Sequence, residues 1–149
     1  MKQIQSFLVD HDKLKPGLYI SRTDGDIVTY DLRFKTPNAG DYLSNGAMHT
    51  IEHIFATWLR SSPKEENILY FGPMGCRTGF YLLVRGMDGG DVVSLVKEAT
   101  AFTAQFDANI PGMSRIECGN YLEHDLSLAK KECARYHHVL NCGNNSLLY

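Results

Sequence analysis

The chain has 149 residues, a length that suits one domain over 1–149 built on a single core. Its apolar fraction of 44 % is enough to bury such a core and argues against an unfolded chain. A net charge of −2, with no long block of one sign, argues against nucleic acid as the main partner, because phosphate binding needs a basic patch.

In chain order, Leu18 to Arg22 and Ile27 to Phe34 read as two strands, with Asp24-Gly25 as the hairpin signal between them. The second strand alternates. Val28, Tyr30, Leu32 and Phe34 share one face, expected to be buried, while Thr29, Asp31 and Arg33 face solvent or a partner. Thr36-Pro37-Asn38 ends it, since Pro cannot donate to a ladder. Met48, Ile51, Phe55, Trp58 and Leu59 then recur at helical spacing, predicting a helix from Ser44 or Asn45 to Arg60, stopped by Ser61-Ser62-Pro63. Asn67 to Phe71 and Thr78 to Arg85 read as strands around the turn Gly72-Pro73-Met74-Gly75. Gly89-Gly90 breaks the chain before a helix over about Asp91 to Phe106. A loop opened by Ile110-Pro111-Gly112 carries Cys118-Gly119, and a last helix runs from about Glu123 to Leu140. Strands grouped as hairpins rather than alternating with helices predict an α+β fold, an antiparallel sheet with helices packed on one face.

The sharpest chemical signal is His49-Thr50-Ile51-Glu52-His53 on the first helix. Two His four residues apart lie one turn above each other, the spacing at which two imidazoles grip one ion. Glu52 projects between that face and the apolar stripe, where partial desolvation suits a general acid/base. Two His alone are more often ordinary half-exposed residues; the intervening Glu turns the balance towards a metal. The same H-x-x-E-H order marks inverzincin proteases, so the motif names a metal site and not a reaction.

A catalytic metal site usually keeps three protein ligands and one open position, so a third ligand is needed. The four Cys, at 76, 118, 133 and 142, are too sparse for a disulfide scaffold. No leader-like segment opens the chain and no apolar run nears the ~20 residues of a membrane span, so a cytoplasmic, reducing setting is expected. There, metal ligation or catalysis is the better reading of an active Cys. Cys118, at a loop–helix junction beside Gly119, is either a thiolate presented to a metal or a buried structural Cys; its residues alone leave both open. Cys76 lies in a Gly-flanked turn beside Arg77, and a neighbouring cation favours a thiolate able to act as base or nucleophile; a Cys merely packed under the turn is the alternative. Cys133 and His137, also four apart, sit on a helix rich in Lys130, Lys131, Glu132 and Arg135, which reads as a solvated face. Cys142 reads as inert, and His124 as a surface or capping residue.

Five motifs in order resemble the S-ribosylhomocysteine lyase family, the bacterial enzymes that make the precursor of autoinducer-2, from about residue 4 to 140. They are Ser6-Phe7 with Asp10-His11, Asp31-Leu32-Arg33-Phe34 followed by Pro37-Asn38, His49 to His53, Pro73 to Tyr81 around Cys76, and Glu117-Cys118-Gly119. The resemblance implies His49, His53 and Cys118 as metal ligands, with iron(II) as the native metal and zinc or cobalt able to replace it. It implies Glu52 and Cys76 as the acid/base pair, and Ser6, His11 and Arg33 as substrate-holding residues. It also implies a homodimer with active sites at the interface, where the N-terminal segment and the Arg33 strand serve the partner's metal. The implied reaction moves a carbonyl along the sugar in two shifts, each through an enediolate, and then eliminates homocysteine to leave 4,5-dihydroxy-2,3-pentanedione. One departure stands out: the family commonly has an acid six positions before the catalytic Cys, where this chain has Tyr70. Two other classes remain in view. A peptidase of inverzincin type is normally much larger than this chain, and a non-enzymatic metal-stabilised module would close its site with four ligands.

Overall fold

A computed structural model describes residue 4, residues 7–143 and residues 145–149. Four strands form one antiparallel sheet in the order β1-β2-β4-β3, with β1 at Gly17–Asp24, β2 at Ile27–Arg33, β3 at Ile68–Pro73 and β4 at Gly79–Arg85. Among the described residues three α-helices accompany it, α1 (Asn45–Arg60), α2 (Gly89–Gln105) and α3 (Leu126–Cys142), with a 3-10 turn at Glu65–Asn67. This is the expected α+β architecture. No helix among the described residues is long and apolar enough to cross a membrane.

Each helix starts on a polar cap. Ser44 accepts from the Ala47 amide, Asp88 from Asp91 and Asp125 from Leu128, satisfying amides that have no partner within the helix. Two starts differ from expectation for that reason. Capping by Asp88 brings Gly89-Gly90 inside α2, and capping by Asp125 delays α3 to Leu126, leaving turns at 119–122 and irregular chain at 123–125.

The apolar stripes meet the sheet on one face. Ile51, Phe55 and Leu59 of α1, Val92, Val96 and Ala99 of α2, and Ala129, Tyr136 and Leu140 of α3 are buried with Tyr30, Leu32, Phe80, Leu82 and Val84. Stacked rings tie the layers: Phe34 on Tyr136 at 4.0 Å and Phe55 on Phe71 at 4.5 Å between centroids. Burying each such side chain is worth about 1.5–3 kcal/mol, so this layer dominates stability.

The other face of β2 is not left to solvent. Asp31 is 0 % and Arg33 3 % exposed. Arg33 donates from Nε and Nη2 to the two Asp31 carboxylate oxygens, and the Tyr149 hydroxyl donates to the same carboxylate at 2.8 Å. The chain's own C-terminal segment provides this cover: the Ile20 amide donates to the Leu147 carbonyl at 2.8 Å, and Tyr149 stacks on Tyr19. Burial opposes the charged form of Arg33, but the hydrogen bond and charge of Asp31 outweigh it and hold its pKa above the ordinary value. Gly79 sits opposite Arg33 in the β2–β4 register. A Cβ there would fall 2.2 Å from the Leu32 carbonyl oxygen, so only glycine lets β4 start so close to β2.

Candidate metal centre and active site

α1 presents His49 and His53 on one side, with ring centroids 4.7 Å apart. The loop between α2 and α3 fixes both rings. His49 Nδ1 donates to the Glu123 carbonyl at 2.9 Å, and His53 Nδ1 donates to the Pro111 carbonyl at 2.8 Å. A carbonyl only accepts, so each Nδ1 carries the proton and each Nε2 turns a lone pair towards the site, as a metal-ligating His requires. Pro111 can reach His53 because the chain turns at Gly112, whose φ of 67° suits glycine.

The same loop buries Cys118, whose Sγ lies 3.3 Å from His49 Nε2. His124 completes the group. Its ring stacks on His49 at 4.0 Å, and its Nε2 lies 4.0 Å from Cys118 Sγ. Ligand atoms of His49, His53, Cys118 and His124 all fall within 4.8 Å of one another. Soft sulfur and imidazole nitrogen suit iron, cobalt or zinc rather than magnesium. The residues present therefore fit a divalent transition metal. His124 was expected at the surface; burial, then the neighbouring His49 and His53, instead push its pKa below the ordinary histidine value. Two acceptors on α1 draw the chain at 124–125 onto that helix: the Asp125 amide donates to Thr50 Oγ1, inside the His49–His53 motif, at 2.9 Å and to the Gly46 carbonyl at 3.2 Å. Glu52 is half-buried and makes no hydrogen bond or ion pair with another described residue.

A second group forms around the turn between β3 and β4. Cys76 is exposed, with Thr78 Oγ1 3.0 Å from its Sγ. The cation beside it is Arg33 and not the sequence neighbour Arg77. Arg33 Nη1 donates to Thr78 Oγ1 at 2.6 Å and lies 3.9 Å from Cys76 Sγ. Arg77, at φ 59°, takes the left-handed conformation in the turn, and its guanidinium lies over the Tyr42 ring. Cys76 opens into a cavity of about 340 Å³ that His11, Asn38 and Tyr42 also line. Arg33 does not line that cavity; it is buried and reaches Cys76 and Thr78, which do. His11 Nδ1 donates to the Val9 carbonyl at 2.8 Å, leaving Nε2 available. Ser6 lies outside the described residues. Among the described residues, no hydrogen bond, ion pair or ring contact joins Cys76, Arg33 or His11 to the His49–Cys118 group.

Residues 4–145 match the family described as S-Ribosylhomocysteinase (LuxS). The chain belongs to this family. It is an enzyme, a lyase. Curated relatives of the LuxS family include an S-ribosylhomocysteine lyase of Phocaeicola vulgatus, 47 % identical over all of this chain and 97 % of its own length. One of Borreliella burgdorferi is 49 % identical over 95 % of this chain and 94 % of its own. A third, of Desulfotalea psychrophila, is 49 % identical over 91 % and 89 %. Membership in the LuxS family covers both the helix that carries His49 and His53 and the turn that carries Cys76.

Proposed function

We propose that the chain, acting as one domain, cleaves the thioether of S-ribosylhomocysteine to homocysteine and 4,5-dihydroxy-2,3-pentanedione. The observation that supports this best is the convergence of His49, His53 and Cys118, with both Nδ1 protons already committed to carbonyls, in a chain of this family. His49, His53 and Cys118 would hold the metal, iron(II) in the native enzyme with zinc or cobalt as substitutes. When bound, it supplies Lewis acidity for a sugar oxygen.

The protein's own groups move the protons. Cys76, as a thiolate flanked by the Arg33 guanidinium and the Thr78 hydroxyl, takes a proton beside the sugar carbonyl and returns it to the neighbouring carbon. Glu52 serves the later shift and the elimination. Ser6, His11 and Arg33 help hold substrate, Arg33 from its place against Cys76.

Because Cys76, Arg33 and His11 form one group and the metal ligands another, we place each working site between two protomers. One gives the metal ligands and Glu52, and the other gives the Cys76 group. Exposed apolar side chains flank the Cys118 loop, with Ile116 98 % and Leu122 79 % exposed, as an interface between copies would require. The setting is cytoplasmic.

One observation favours a second reading: four groups cluster, not three, so a closed structural metal site is the rival. A free-thiol assay on anaerobically purified, metal-counted protein separates the two. The lyase reading expects release of one thiol per S-ribosylhomocysteine consumed. No thiol release from fully metallated protein would refute it.

A further inference from the structure

His124 differs from the other two histidines of the cluster in its Nδ1 partner. His49 and His53 meet carbonyl oxygens, which can only accept. His124 Nδ1 meets the Thr50 hydroxyl oxygen at 3.2 Å, which can also donate. That hydroxyl is already an acceptor for the Asp125 amide at 2.9 Å. Thr50 is fully buried, so its proton needs a protein acceptor. Among the described residues, His124 Nδ1 is the group within hydrogen-bond reach that can receive it. Thr50 therefore donates to Nδ1, and a neutral imidazole that accepts at Nδ1 carries its proton on Nε2. His124 Nε2 is the atom that faces Cys118 Sγ, 4.0 Å away, within reach of a hydrogen bond to sulfur.

We propose that His124 is not a metal ligand but an N–H donor to the Cys118 sulfur, set in that tautomer by Thr50. It is a positioning residue, acting through Cys118, and the inference rests on the reading that His49, His53 and Cys118 hold the metal. A donor on the thiolate lowers the energy of its lone pairs and restrains the Cys118 side chain. His124 would then add no fourth protein ligand to the metal, because an imidazole protonated at Nε2 has no lone pair to offer there. Thr50 thus has two tasks: its oxygen anchors the start of α3 through Asp125, and its proton sets the role of His124.

The test loads anaerobic full-length protein with Co²⁺ and reads the sulfur-to-cobalt charge-transfer band, the d–d bands and the cobalt stoichiometry. His124→Ala is expected to keep wild-type stoichiometry and d–d intensity. Its charge-transfer band is expected to move to longer wavelength, and cobalt affinity to fall about 10–100-fold, the usual loss for an outer hydrogen bond. His124→Gln, whose amide N–H can take the place of Nε2–H, is expected to stay near the wild-type band. Thr50→Val should shift the band as His124→Ala does, and Thr50→Ser should restore it. Loss of cobalt or of d–d intensity in both His124 variants would make His124 a ligand and overturn the proposal. An unmoved charge-transfer band in His124→Ala would overturn it equally. Failure of the wild-type protein to bind cobalt would instead strike the metal-binding reading itself.

Discussion

Replacing Arg33 with Met keeps the length of the side chain and removes its charge from a buried ion pair. Among the described residues, Asp31, 0 % exposed, would keep only the Tyr149 hydroxyl as a partner on its carboxylate. Leaving one member of a buried pair uncompensated costs about 3–5 kcal/mol. At roughly 2–4 °C per kcal/mol for a chain of this size, the melting temperature should fall by about 10 °C. The assay is urea unfolding at pH 7, with all variants at one protein concentration because any oligomer would make stability depend on it. The double variant Asp31→Asn/Arg33→Met removes both charges and should recover most of the loss. A single-variant cost below about 1 kcal/mol, in the range of an exposed pair, would show that the pair is not desolvated as described. A double variant as unstable as the single would show that Arg33 acts by packing and not by neutralising Asp31.

Other substitutions separate the two halves of the proposed site. Cys118→Ser and His53→Ala should strip the metal, read by elemental analysis. Cys76→Ala should keep metal near normal and lower turnover by at least about 10²-fold, the scale of a lost proton-transfer group. Glu52→Gln should behave like Cys76→Ala; a near-wild-type rate would remove that carboxylate from the mechanism. Gly79→Ala should destabilise by more than about 2 kcal/mol, since its Cβ meets a backbone oxygen that cannot swing away, and a neutral result in urea would contradict the register. A hydrogen bond from Lys35 holds the Asp41 carboxyl below its ordinary pKa. The bond's contribution is present above the unfolded value of about 3.9 and is lost as pH falls through the folded one. Asp41→Asn should therefore lower the urea midpoint at pH 5–7 and converge with wild type in strong acid.

What the sequence could show follows from how local each signal is. The period of Met48, Ile51, Phe55 and Leu59 reports a helix whatever the rest of the chain does, and the His49–His53 spacing rides on it. His124 was hidden by a helix boundary. A start at Glu123 puts it on a solvated helix, whereas a start at Leu126 leaves it in irregular chain that can reach α1. Asp125 as a cap three residues before Leu128 was the available clue. Chain adjacency does not identify the cation beside Cys76: the left-handed backbone at Arg77 sends that side chain towards Tyr42, while the β2–β4 register brings Arg33 alongside Gly79. Alternation along β2 separated Asp31 and Arg33 from the core face but carried no information on what covers them. That cover comes from Tyr149, 118 residues away along the chain.

The division of the site between protomers has a direct test in complementation. Cys76→Ala and His53→Ala are each expected to be inactive alone. If they are unfolded together in equal amounts, refolded and remetallated, half of the resulting dimers pair one of each, and each mixed dimer contains one site with both Cys76 and His53 intact. Thiol release from S-ribosylhomocysteine should then return to about a quarter of the wild-type rate, as two-fold symmetry requires. No recovery, in a mixture shown to contain mixed dimers, would contradict the account, because it would put Cys76 and the His53 metal site in one and the same chain.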